Sequence, residues 1–511
     1  MTLLLAGVII APLVSTPLVY LLGRRFREKT GYFTFALLLI PFISILASAL
    51  MAAGSPNGSY SEAYPWYPIG TFGLNADNLS LPVLFTISLL TALIALFSVP
   101  YMHHKIGDNP GDSKRYGLYY SLYILYALGM LGTVLATNLI QFYAFFEIML
   151  VPSFFMIAEW GYGEKEKISL MYFFWTHVGA LVLLVGILVT GYLSKGSTDL
   201  DVIKTLLTNN PTLISTTARI AIVATMCFGF FVKMAQFGVH VWLPHAHAEA
   251  PTPISALLSP AMIGIGAYAT VRIVMSIYPD AFFTLSAFFA GWALITMFYG
   301  GFMAMVQDDI KRLLAYSSIS QMGYILFGLA SFTQLGVAGS MFQYVSHGTA
   351  KGILFLVAGS IILQVHGERS ISKLGGLASR MPITATAAFI GFLAILGLPT
   401  TNGFLSEFFL FQGGFIRATD TATLYRIVVS ILGVVATAFT AGYSLWTLRR
   451  VFFGPTNAIT AEVKEAPWTV TGPLIILCIV TIALGIYPQP VLGPLLNAAK
   501  TIQGIPGIPG L

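Results

Sequence analysis

The chain has 511 residues, of which 57% are hydrophobic and only 9% are charged. Soluble domains carry about 25% charged residues, so the composition excludes a soluble enzyme and points to a polytopic membrane protein with no sizeable soluble domain. The excess of 26 basic over 20 acidic residues then belongs to loops on one side of a membrane rather than to a nucleic-acid partner.

Apolar segments of about 20 residues can span a bilayer. In order they lie near 2–22, 31–53, 78–99, 117–136, 139–159, 168–193, 219–243, 252–276, 282–306, 313–332, 335–364, 383–414, 426–448 and 469–490. That gives about fourteen transmembrane helices. The first has the length of a signal peptide, but no polar mature domain follows, so it reads as a span. Segments 219–243 and 383–414 are long or interrupted by Gly and Pro. A broken helix survives at membrane depth only where it lines protein or water. The expected fold is all-α, with two discontinuous helices.

The first loop carries Arg24, Arg25, Arg27 and Lys29, loop 54–77 carries no Lys or Arg, and the third loop has Lys105, Lys114 and Arg115. Counted onward, about seventeen basic residues fall on the side of the first loop and about seven opposite. The positive-inside rule then places the first loop in the cytoplasm and both termini outside it. An internal repeat is also visible. YFFWTHVGALVLLVG around His177 and FQYVSHGTAKGILFLVAG around His347 set two histidines 170 residues apart. The broken span with Lys233 is matched 174 residues later by GLPTTNGFLSEFF with Glu407. A unit of five helices must flip between copies, so inverted repeats are expected. The organisation is three N-terminal helices (1–99), a first five-helix repeat (117–277), a second, inverted one (282–450) and a C-terminal helix (469–490).

Ionisable residues within spans are few: Asp77, Glu147, His177, Lys233, His347, Lys351 and Glu407, with Glu159 and His240 nearer span ends. A charge at membrane depth costs roughly 2.5–3.5 kcal/mol on insertion scales and by default marks an ion path. Buried Glu and Lys shift toward neutrality and regain charge when paired, which is what a proton relay requires. The alternatives are a structural carboxylate for Glu147, snorkelling for Lys233, a core histidine for His177 and a helix-capping carboxylate for Glu407. His347 and Lys351 are spaced i, i+4 and share one helical face. His240, His245, His247 and Glu249 have the composition of a metal site, yet their Pro-rich segment at a membrane boundary reads as a water-exposed mouth or polar loop. Ser317, Ser318, Ser320 and Gln321 fall at a helix start, where they hold water or bond neighbouring helices. Asp308, Asp309, Lys311 and Arg312 read as the structural, charged start of that helix. Cys227 and Cys478 lie in apolar runs and no CxxC exists, so neither a zinc nor an iron–sulfur site is expected. No phosphate loop, dinucleotide fingerprint, nucleophile elbow or haem motif occurs.

The motifs FFEIMLVPSFF, VKMAQFGVHVWLPHAHAEAPTPISALL, DDIKRLLAYSSISQMGYI, HGTAKGILFLVAG, GLPTTNGFLSEF and YSLWTLRRVFFG lie between residues 70 and 455. With them the chain resembles the antiporter-like, proton-translocating subunits of respiratory complex I, in the pattern of the M-type (subunit 4) NADH-quinone oxidoreductase chain. That superfamily is shared with multi-subunit sodium/proton antiporters and membrane-bound hydrogenases, either of which is the alternative assignment. The resemblance implies proton translocation in the cell (inner) membrane, beside L-type and N-type membrane-arm subunits. It implies no cofactor in this chain, with quinone, FMN and iron–sulfur clusters only in partner subunits. Glu147 matches the family glutamate that pairs with a lysine, and Lys233 matches that lysine. Glu407 matches the terminal carboxylate of the second half-channel, and His347 with Lys351 the polar residues of the eleventh helix. One departure stands out. The family usually has a lysine in the eighth helix, four residues before a tyrosine; here that position is Gly264, before Tyr268. The relay is then expected to be bridged by His347, Lys351 and water.

Overall fold

In hydrocarbon, every backbone N–H and C=O must be paired within the protein, which leaves an apolar chain little choice but helix. The computed structural model describes residues 3–107 and 112–506. It begins with α1 (Leu4–Phe26) and α2 (Thr30–Ala53), then a hairpin of β1 (Ser59–Trp66) and β2 (Gly70–Asp77). Next come α3 (Ser80–Ile106), α4 (Ser113–Leu135), α5 (Leu139–Ile148), α6 (Leu150–Trp160), α7 (Lys165–Leu193), the short α8 (Leu200–Asn209), α9 (Thr216–Lys233) and α10 (Trp242–Glu249). The eighth expected span is α11 (Thr252–Leu257), a π-turn at Leu258–Met262, α12 (Ile265–Ala269) and a second π-turn at Thr270–Met275. The second half holds α13 (Pro279–Met305), α14 (Ile310–Ser331), α15 (Gln334–Gln364), α16 (Leu377–Arg380), α17 (Pro382–Ile395), α18 (Asn402–Thr421), α19 (Leu424–Val435) and α20 (Thr437–Val451). The last helices are α21 (Trp468–Ile486) and α22 (Gln489–Lys500).

Among the described residues, twelve helical stretches are long and apolar enough to cross a membrane. That number differs from the expected fourteen for a physical reason. A 3-10 turn joins α1 to α2 into one stretch, Leu4–Ala53, and the expected span 383–414 is divided into α17 and α18. The centre of the molecule is α15, buried from Gln334 to Ile362, enclosed by α3, α11, α14 and α18. By contrast α1, α2, α7 and α19 expose many large apolar side chains, the surface expected of helices facing lipid or neighbours.

The segment 54–77, expected to be a loop, is a β-hairpin with Ser59 opposite Asp77 and Trp66 opposite Gly70. Its buried Glu62 accepts from the N–H groups of Leu5 and Ala6, both at 2.9 Å, and from the hydroxyls of Tyr60 and Tyr64. The hairpin thereby caps the N-terminus of α1, where a negative charge is favoured. Burial acts to raise the Glu62 carboxyl, but these four hydrogen bonds prevail and hold it low. Asp77 lies at the hairpin's end rather than inside a span. It forms a bidentate pair with Arg272 at 2.6 and 2.7 Å, while also accepting from the N–H groups of Leu79 and Ser80. Burial opposes its ionisation, but Arg272 and Ser80 bring it down to about 2.

Candidate functional site

Both discontinuous helices place an ionisable group at a helix break. α9 ends at Lys233, and the chain then turns through Ala235 (φ 52°) and Gly238 (φ 89°) before α10. The freed backbone groups are met by protein. Trp242 Nε1 donates to Val232 O (3.0 Å), Phe237 N donates to Thr296 Oγ1 (3.1 Å), Trp292 Nε1 donates to Phe237 O (2.8 Å), and Gly238 N donates to His240 Nδ1 (3.1 Å). Gln236 Nε2 ties the break to α14 through Met322 O. Lys233, 2% exposed, therefore sits at a helix C-terminus, where a cation is favoured. Its Nζ lies 4.8 Å from the centre of the Phe146 ring, a further attraction for a cation.

Glu147, near the end of α5, is the acidic group that acts on Lys233 electrostatically. Its direct partner is different: His177 Nδ1 on α7 stands 3.0 Å from Glu147 Oε2. The expected Glu147–Lys233 pair is thus a longer-range one, with Glu147 bonded to His177. Glu147 Oε1 is buried without a hydrogen-bond partner, and His177 stacks on Phe173. The His177 and Glu147 side chains keep 34% and 21% of their surface exposed, so this pair lies toward the outer flank of the chain.

The second break separates α17 from α18 through Gly397 (φ 72°) and Thr400 (φ 81°). Glu407, in the second turn of α18, folds back into it: a Cβ on Gly397 would stand 2.6 Å from Glu407 Oε2. The carboxylate is thus near a helix N-terminus and the lysine of the first break at a C-terminus, each matching the local dipole. Between them lies buried polar sequence. Lys351 Nζ donates to Ser317 Oγ and to Leu314 O (3.1 Å). One turn along α14, Gln321 Oε1 accepts from Gln343 Nε2, and Gln343 Oε1 accepts from Ser406 Oγ, next to Glu407. Ser346, Asn402 and Thr349 form a parallel chain with links of 3.1 and 3.0 Å. His347 is buried one turn before Lys351, and its Nε2 has no hydrogen-bond partner.

Gly264 is where this chain departs from the pattern. A Cβ there would fall 2.1 Å from Tyr344 Cδ2, so the Tyr344 ring fills the space a side chain would take. Tyr344 OH donates to Ala261 O (2.8 Å) in the π-turn, where the altered pattern frees a carbonyl. A hydroxyl pair, Ser259 and Ser318 at 2.7 Å, joins this helix to α14.

Residues 136–439 match the sequence profile described as NADH:quinone oxidoreductase/Mrp antiporter, transmembrane, and residues 66–110 match that of the NADH-ubiquinone oxidoreductase (complex I) chain 5 N-terminus. The chain belongs to the NADH:quinone oxidoreductase/Mrp antiporter family. It is 32% identical over 452 residues to F(420)H(2) dehydrogenase subunit M of Methanosarcina mazei, covering 87% of each chain. It is 33% identical over 434 residues to NADH-quinone oxidoreductase subunit M of Pseudomonas aeruginosa, covering 82% of this chain and 79% of that one. The fold matches a chain of respiratory complex I from Thermus thermophilus with TM-score 0.83 at 24% identity, over 98% of this chain and 100% of that one. It matches a chain of the Mrp complex from Dietzia sp. with TM-score 0.84 at 22% identity, over 99% and 98% of the two chains.

Seen as a member of this family, the chain places Lys351 and Glu407 at the two ends of one buried polar region of α14, α15 and α18, with His347 one turn before Lys351. Glu147 and His177 are bonded to each other elsewhere, with Lys233 in longer-range electrostatic contact with Glu147. His240 serves the first break directly through Gly238 N. The reading of 245–249 as a polar mouth needs correction: these residues belong to α10, and His247 is fully buried. Ser317 to Gln321 lie well inside α14 rather than at its start. Asp309 does cap that helix, accepting from Lys311 N and Arg312 N, but Lys311 is itself fully buried, with Nζ on Ala250 O. Its phase held the signal, since Lys311, Leu314, Ala315 and Ser318 share one helical face. Arg272 was also missed as a partner for Asp77.

Proposed function

We propose that this chain is the proton-translocating membrane-arm subunit of a complex I-type quinone oxidoreductase, in the cell (inner) membrane. The observation that carries this is a buried polar region in two hydrogen-bonded runs one helical turn apart on α14, Lys351–Ser317 and Gln321–Gln343–Ser406, the second ending next to Glu407. Hydroxyl and amide side chains can hand protons between ionisable groups, and a run of them beside buried ionisable residues in a bilayer-embedded core supports such a path. Electron transfer takes place in partner subunits; this chain switches protonation states. Glu147 and Lys233 form the switch of the first half, and Lys351, His347 and Glu407 that of the second. A change of three pKa units corresponds to about 4 kcal/mol, against about 2.3 kcal/mol for one charge crossing 100 mV. A switch of that size would be large enough to drive a proton against the membrane potential.

The L-type and N-type neighbours would meet the chain on its exposed flanks, and the Glu147–His177 pair lies close to one of them. Redox events could then reach Lys233 by moving Glu147. The similarity to a chain of the Mrp complex favours a second reading, a sodium/proton antiporter subunit with no redox partner. Reconstituting the purified native complex in liposomes separates the two. Proton uptake driven by NADH, reduced deazaflavin or reduced ferredoxin with a quinone acceptor is expected. Acidification driven by a sodium gradient alone, with no response to any donor, would instead establish the antiporter.

A further inference from the structure

Lys351 and His347 are sealed in the core, so a proton reaching them from the end of the molecule that carries Lys311, Arg369 and Arg450 needs an intermediate. α10 supplies one. His247 is 0% exposed, and neither ring nitrogen has a hydrogen-bond partner in the protein. Its ring stacks on Phe355 of α15, centroids 4.9 Å apart at 22°. That stacking requires a flat ring but no nitrogens, and a buried polar atom left unpaired is destabilising. Packing alone is therefore better served by phenylalanine.

The surroundings say what the nitrogens are for. The ring lies on Phe355, one turn along α15 from Lys351, and His347 is one turn before Lys351 on the same helix. On the other side the carbonyls at the end of α10 are gripped by cations: Lys311 Nζ on Ala250 O and Arg369 on Ala248 O. The Lys311 Nζ and Arg369 guanidinium stand 5.7 and 5.8 Å from the Tyr162 ring centre; Tyr162 OH meets Tyr101 OH (2.6 Å), which in turn meets Thr252 Oγ1 (2.9 Å). The cationic cluster thus grips the end of α10 within one turn of His247, whose ring packs on α15 one turn from Lys351.

We propose that His247 is a relay residue that passes protons between Lys311 and the Lys351–His347 pair. Lys311 gives a proton to one ring nitrogen, and the opposite ring N–H gives its proton to the neutral Lys351 amine or to His347 Nε2. One proton enters and one leaves, and Lys311 is reprotonated from the aqueous side of the cationic cluster. This rests on Lys351 and His347 acting in the relay.

The test uses the intact complex in liposomes, with proton translocation compared at matched electron-transfer rates. His247→Phe keeps the ring on Phe355 and removes both nitrogens; translocation is expected to fall several-fold while the complex stays assembled. In His247→Ala, added imidazole is expected to restore translocation, whereas pyrrole, of similar size but not basic, is not. Native translocation in His247→Phe, or equal restoration by pyrrole and imidazole, would overturn the proposal. Lys351→Ala separates the levels. Lost translocation there with native behaviour in His247→Phe removes His247 alone. Native translocation in Lys351→Ala removes the relay on which His247 depends.

Discussion

At the scale of single residues, the charge of Lys233 is held by three things: the end of α9, the Phe146 ring and, at longer range, Glu147. Glu147 is shared with His177, so moving it changes two groups at once. We expect Glu147→Gln and Lys233→Ala each to reduce proton translocation strongly, and the double variant to be no worse than the worse single one. The check is translocation in reconstituted complex; losses that multiply would mean the two act independently. Glu147, Lys233, Lys351 and Glu407 were legible as candidates because a lysine or glutamate in an apolar run is conspicuous. His247 and Lys311 were harder to read, because each stands in a run of polar residues beside a membrane boundary. The helical phase of Lys311 carried a signal, but the burial of His247 shows only in the packing of its ring against α15.

Among the elements, the two breaks and the hairpin carry the most specific expectations. Gly397 needs its left-handed φ of 72°, and any Cβ there meets Glu407 at 2.6 Å. Gly397→Ala is therefore expected to destabilise by about 1–2 kcal/mol from the backbone alone. It also displaces the carboxylate, lowering translocation more than thermal stability. A variant that melts lower but translocates normally would show that the break does not position Glu407. On the hairpin, the Asp77 carboxyl is depressed to about 2 by Arg272 against the effect of burial. A depressed folded value means that its stabilisation is complete above the unfolded value of about 3.9. It is lost as pH falls toward about 2. Asp77→Asn leaves Arg272 without its charge partner. The expected loss is about 2 kcal/mol, below the range for a sealed pair because the two side chains keep 18% and 21% exposure. Thermal melts of detergent-purified complex should show the loss at neutral pH, with the gap from native narrowing in acid. The hairpin itself was hidden in the sequence. Tyr60, Glu62, Tyr64 and Trp66 alternate as a strand should, but Pro65 and Pro68 argue against one.

At the scale of the whole molecule, span positions could be read from hydropathy because a bilayer fixes helix length. The discontinuous helices could be read from Gly and Pro. What could not be read was how the halves connect, since Gly264 stands where the resemblance implies a lysine and the Tyr344 ring fills the space a side chain would take. The charge asymmetry predicts that Arg27 and Ser59 lie on opposite sides of the membrane. Single cysteines at the two positions should be labelled by an impermeant reagent from opposite faces, and labelling of both from one face would contradict the topology. The claim that this chain conducts protons rests most heavily on Lys351, which stands one turn from the core histidine His347, at one end of the buried polar region that reaches Glu407. The most direct measurement is donor-driven proton translocation by intact complex carrying Lys351→Ala, at native electron-transfer rate. Translocation should fall at least as far as in Lys233→Ala; an assembled Lys351→Ala complex that pumps like the native one would contradict the account.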